Sequence, residues 1–129
     1  MMRRWTPMTT TTPPGPSCKR GDVALALFPD SNLRTAKLRP VLVVQADGLK
    51  TGLSQVIVAM ITSKLFRADH PSRVEVLRAT AAGRQAGLLT DSVVMTDNLA
   101  TLAWTEIQRI VGRLQMAEVE QALRHTLDL

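Results

Sequence analysis

Val41-Leu42-Val43-Val44-Gln45, opened by Pro40, and Ser54-Gln55-Val56-Ile57-Val58-Ala59-Met60-Ile61 read as two successive β-strands. β-branched residues crowd both runs, and the Asp47-Gly48 pair with Gly52 marks the turn between them. Proline suits the first residue of a strand, because its missing N–H need not join a ladder there. A parallel pair would need a crossover of a dozen residues or more, so the two strands are expected to run antiparallel.

The same grammar extends in both directions. Asp22 to Phe28 is a further strand, stopped by Pro29-Asp30-Ser31-Asn32. Arg73 to Leu77 and Ser92 to Met95 are strands, with shorter extended pieces around Leu99 to Leu102 and Ile110 to Val111. Arg78 to Gly87 is irregular in this reading. From Met116 the period changes: Met116, Val119, Leu123 and Leu127 recur at helical spacing. The expected fold is mainly β with α, a small antiparallel curled sheet or barrel closed by a C-terminal helix. Residues 1–18, with four consecutive threonines and Pro13, Pro14 and Pro16, form a disordered extension, and 19–129 form the domain.

Composition narrows the class. The chain has 129 residues, 45% hydrophobic and 21% charged, as in an ordinary globular protein. No apolar run approaches the roughly 18 residues of a membrane helix, and no apolar stretch follows the N-terminal arginines to make a signal peptide. Cys18 is the single cysteine, so the reading is a cytoplasmic protein without disulfide, metal or cofactor. The net charge of +5 is unevenly spread. Between residues 34 and 73, Arg34, Lys37, Arg39, Lys50, Lys64, Arg67 and Arg73 are opposed only by Asp47 and Asp69. Such a basic middle suits a polyanion such as RNA.

Standard catalytic signatures are missing. No glycine-rich phosphate loop, HExxH or serine elbow is present, and His70 and His125 lie far apart in sequence. Tyrosine is absent, which removes an aromatic platform of the RRM kind; Phe66, in the basic loop, is the one candidate for stacking on a base. What remains is an ordered set of short motifs: Gly21-Asp22, Lys37-Leu38-Arg39-Pro40 before an apolar strand, Ile61-Thr62-Ser63 at a strand end, and Gly87-Leu88-Leu89-Thr90-Asp91-Ser92-Val93-Val94.

In order and spacing these motifs resemble the MazF/PemK toxins of toxin-antitoxin systems, over nearly everything after Cys18. The resemblance implies an SH3-like barrel of the PemK/CcdB kind, a homodimer, and a metal-independent endoribonuclease that cuts single-stranded RNA. It implies an acidic antitoxin segment as partner. It assigns catalysis to Arg39 and Thr62, with Asp97 as a carboxylate found in some relatives; the residues themselves offer Ser63, Lys37, Lys64, Arg67 and Phe66 as RNA contacts, from the basic stretch, the hydroxyl beside Thr62 and the loop phenylalanine. RNA brings its own nucleophile, the 2′-OH, so a guanidinium fork and a hydroxyl placed at the phosphate meet the chemical need. Arg34, Thr35, Met60, Met95, Asn98, Ala100 and Ala103 depart from the common pattern and bear on which sequence is cut and, to a lesser degree, on activity. Two alternatives share the fold: a CcdB-like gyrase-inhibiting toxin, which needs no Arg/Thr clamp, and a non-catalytic SH3-like module that only holds RNA or protein.

Overall fold

The computed structural model describes residues 18–129. The expected N-terminal extension therefore lies outside the described residues, apart from Cys18, which is half-buried against the core and whose thiol is pushed up chiefly by that burial. Six strands form one antiparallel sheet: β1 (Asp22–Pro29), β2 (Ala36–Val43), β3 (Gln55–Thr62), β4 (Arg73–Val76), β5 (Ser92–Ala103) and β6 (Ile107–Arg113). Their order is β4-β5-β3-β2-β1-β6, so β4 and β6 are edges and no ladder joins them. Two helices complete the fold, α1 (Ala81–Ala86) and α2 (Ala117–Leu127). Among the described residues no helix is long and apolar enough to cross a membrane.

Strand alternation divides the core between the two faces of the sheet. Ala24, Ala26 and Phe28 of β1, Val41 and Val43 of β2, and Val56, Val58 and Met60 of β3 pack together on one face. The intervening Val23, Leu42, Ala59 and Ile61 meet Val119 of α2 and Leu88 on the other. This period of two follows from side chains pointing alternately across the pleat. The Gly-Asp opening bolts β1 in place. Gly21, at φ +93, donates its N–H to Val43 and accepts from Leu114, while the buried Asp22 accepts from Arg113 at 2.5 Å. Only glycine takes that φ without a steric cost.

Four expectations change. Pro40 does not open β2; the strand begins at Ala36 and carries Arg39 within it, paired with Ala26 of β1 rather than set in a loop. The irregular stretch contains α1, whose N-terminus is capped by Thr80 Oγ1 accepting from Gly83 N–H at 3.1 Å and whose C-terminus ends at left-handed Gly87. Six residues are too few to show a helical period, so only the caps signalled it. The pieces read at Ser92 and Leu99 are one strand, β5, interrupted by a bulge. Met95 pairs with Met60 and Leu99 with Ala59, leaving Thr96, Asp97 and Asn98 extra. In α2 the buried stripe is Val119 and Ala122, and Leu127 is exposed.

Helix α1 sits on β6 at backbone contact. A Cβ on Gly112 would run into the carbonyl of Ala86. Gly112→Ala is therefore expected to destabilise the domain by roughly 1–3 kcal/mol, measured by urea unfolding; an unchanged midpoint would mean that α1 is free to shift.

Candidate functional site

The decisive local feature is where the β2–β3 ladder stops. Its pairs are Val43↔Val58, Leu42↔Ala59 and Val41↔Met60. Val44 N donates to Ile57 O at 3.1 Å, and residues two apart on a strand turn their backbone groups to the same neighbour. Leu42 and Pro40 therefore face β3, and the next ladder bond would run from residue 40 to Ile61. Proline has no N–H to give, and the pairing ends there. Each strand keeps its other partner: Arg39 stays paired with Ala26 of β1, and Thr62 with Val93 of β5. The two strands fork.

Continued register across the fork sets Arg39 opposite Thr62 and Lys37 opposite Lys64. The alternation that puts Val43 and Val41 on one face of the sheet carries on to Arg39 and Lys37. On β3 it passes from Val58 and Met60 to Thr62. These four side chains line an open cleft of about 650 Å³, whose walls also include Arg67, Asp30, Met60 and Asn98. The inner core thus hands over to a basic cleft on the same face.

Arg39 is one-third exposed, and its Nη2 lies 3.4 Å from Asp30 Oδ1. Asp30 also accepts from Thr35 Oγ1 at 2.6 Å, and Asn32 Oδ1 accepts from the N–H of Arg34 and Thr35. The loop from β1 to β2 is thereby folded on itself, with Asp30 held ready beside the guanidinium. The Thr35 hydrogen bond, and after it Arg39, hold the Asp30 carboxyl below the usual carboxylate range. Thr62 is buried, with its Oγ1 accepting the Lys64 N–H at 3.2 Å, which leaves the hydroxyl proton as a donor. Arg67 Nη1 lies 3.6 Å from Met95 Sδ, and its guanidinium stands 5.7 Å from the ring centroid of Phe66.

Of the eight site residues expected from sequence, Arg39, Thr62, Lys37, Lys64 and Arg67 line the cleft, and Ser63, Phe66 and Asp97 do not. Ser63 and Phe66 are exposed beside it, Phe66 at 80%. Asp97 is turned to β4, where Arg73 grips both its oxygens at 2.8 and 3.3 Å. That hydrogen bonding holds the Asp97 carboxyl below its ordinary range, against a smaller opposing effect of burial. From the sequence Asp30 reads only as part of a loop signal, and nothing in the spacing places Asn98 in the cleft. Nor does the spacing show the approach of His70 to His125, whose rings stand 6.1 Å apart and do not line the cleft.

Because Asp97 is depressed in the folded state, its contribution is present above the ordinary carboxylate range and lost as pH falls through and below it. Asp97→Asn should cost up to about 1 kcal/mol at neutral pH, as expected for a partly exposed pair. The difference from the parent should vanish under acid, followed by unfolding at a series of pH values. A difference that persists in acid would assign the loss to packing.

Comparison with known proteins agrees with the geometry. The family described as PemK-like, MazF-like toxin of type II toxin-antitoxin system matches residues 19–127. Endoribonuclease MazF2 of Mycobacterium bovis and endoribonuclease MazF6 of Mycobacterium tuberculosis are each 38% identical over 107 residues, 80% of this chain and 90% of theirs. The solved structure of Mycobacterium tuberculosis toxin MazF-mt6 is similar at a TM-score of 0.64 and 25% identity, over 84% of this chain and 97% of that one. A mycobacterial endoribonuclease in complex with its cognate antitoxin shares the fold at a TM-score of 0.66 and 22% identity, over 88% and 97%. With the family matched from Lys19 to Leu127, the chain belongs to the PemK-like, MazF-like toxins of type II toxin-antitoxin systems.

Proposed function

We propose that this toxin is a metal-independent endoribonuclease that cuts single-stranded RNA, mRNA in the cell, by attack of the 2′-OH on the adjacent phosphate. The observation that carries the reading is the fork, with Arg39 opposite Thr62 and lysines beyond them on both arms. Lys37, Lys64 and Arg67 draw the phosphate backbone into the cleft. Arg39 then exchanges its single long contact with Asp30 for two donors to the phosphate oxygens, and the Thr62 hydroxyl adds a third. These donors act where negative charge builds up as the 2′-oxygen bonds to phosphorus and the 5′-oxygen leaves. The products are a 2′,3′-cyclic phosphate and a 5′-hydroxyl.

Ser63 offers a further hydroxyl at the cleft edge, and Phe66 an open ring face for stacking on a base. Asp97, held ionised by Arg73, is a weak base in this arrangement and would need to leave Arg73 to take a proton. An SH3-like small barrel over residues 19–129, with residues 1–18 outside the domain, is the finer reading of the fold; its support is the six-stranded antiparallel order with an apolar core on each face. Exposed Leu27 and Leu38, paired across β1 and β2, supply an apolar face for a homodimer. The basic cleft suits an acidic antitoxin segment that competes with RNA; one solved mycobacterial endoribonuclease of the same fold is in complex with its cognate antitoxin. The site of action is the cytoplasm, where mRNA is.

Arg39→Ala should lower the cleavage rate by roughly a hundredfold or more, the usual loss for one charge-stabilising donor group. Arg39→Lys should restore little, since an ammonium keeps the charge without the fork, and Thr62→Ala should be milder. Cutting should persist in excess chelator, and RNA with a 2′-deoxy sugar at the cut position should resist. Full activity in Arg39→Ala, or cleavage of the deoxy substrate, would refute the mechanism. Light scattering should give a dimer, and a monomer at micromolar concentration would refute the assembly.

A further inference from the structure

The β5 bulge separates neighbouring side chains: Asp97 goes to Arg73 on β4, and Asn98 joins the cleft wall beside Met60, Leu99 and Ala100. Bulges often re-aim a side chain next to an active site. Half-buried Asn98 donates from Nδ2 to Met60 Sδ at 3.4 Å, its one side-chain hydrogen bond among the described residues. A thioether is a weak acceptor. The contact turns the amide nitrogen toward Met60 and leaves the carbonyl oxygen and the second N–H without a strong partner. Among the described residues no buried side-chain polar atom lacks a partner, so these two groups are open to water in the cleft, where a ligand of the same donor–acceptor pattern can replace it.

Asp30, Asn32 and Thr35, also on the cleft wall, are already bonded within their own loop. Arg39, Thr62, Lys37 and Lys64 address the phosphate backbone, which is the same at every nucleotide. Single-stranded RNA presents its unstacked bases by their Watson–Crick edges, where a donor stands beside an acceptor. Met60, Leu99 and Ala100 provide an apolar surface for the ring of such a base.

Resting on the ribonuclease reading, we propose that Asn98 is a specificity-determining residue that reads one base next to the cut phosphate through a two-point contact with its Watson–Crick edge. The test is to map cleavage sites of the full-length protein on a randomised RNA pool by sequencing the new ends. The parent should show a base preference at a position adjoining the cut. Asn98→Ala should flatten that one position, by roughly tenfold, while preferences elsewhere persist. Asn98→Asp should shift it toward guanine, because a carboxylate presents two acceptors and guanine's edge two adjacent donors, N1–H and the N2 amine. Unfolding midpoints of both variants should match the parent. Preference unchanged in both variants, or activity lost evenly at all positions, would overturn the assignment. A parent that cuts without any base preference would overturn the Asn98 role alone. A parent that cuts nothing would remove the ribonuclease reading and this inference with it.

Discussion

One hydrogen bond that cannot form shapes the functional end of this molecule. Pro40 points its nitrogen at Ile61 and has nothing to donate, so β2 and β3 part after Val41↔Met60. The parted strands are not loose ends, because β1 holds one and β5 the other. A cleft between two anchored arms keeps its side chains in fixed relation, as a site that must clamp a phosphate requires. The alternation that buries valines on the closed part of the sheet presents Arg39, Lys37 and Thr62 on the open part. Core and cleft are one pattern read past the point of separation.

Charge is arranged with the same economy. Arg39 rests on a single contact with Asp30, an acid itself engaged by Thr35. That contact orients the guanidinium without saturating it, leaving most of its donors for a substrate. Asp97 is handled differently: Arg73 takes both its oxygens and ties the bulge to β4. Thr96, at the same bulge, bonds Ser72 O at 2.6 Å and Thr126 at 2.7 Å, so the end of α2 rests on it. The bulge is therefore pinned on one side and presents Asn98 on the other.

Much of this was legible in the sequence, for identifiable reasons. Long runs such as Val41–Val44 and Val56–Ile61 declare strands because burial on both faces demands β-branched residues. The short motifs in register brought Arg39 and Thr62 forward before any geometry. What stayed hidden depends on partners distant in the chain. The bulge at Thr96–Asn98 breaks the alternation and made β5 look like two pieces. Helix α1 is too short for a period, although Thr80 and Gly87 announce its ends. That Asp97 answers to Arg73, and Asp30 to Arg39, is decided by tertiary register and not by spacing. Pro40 reads in sequence as a strand opener, whereas its consequence is the end of a ladder.

The central claim is that the parted strands make the catalytic cleft, and Pro40→Val tests it most directly. Valine restores the N–H toward Ile61 and invites the ladder to close over the site. Single-turnover cleavage of a single-stranded RNA by this variant, set beside its thermal unfolding, should show a rate reduced by roughly a hundredfold with the unfolding midpoint equal to or above that of the parent. Undiminished cleavage by a folded Pro40→Val protein would contradict the account.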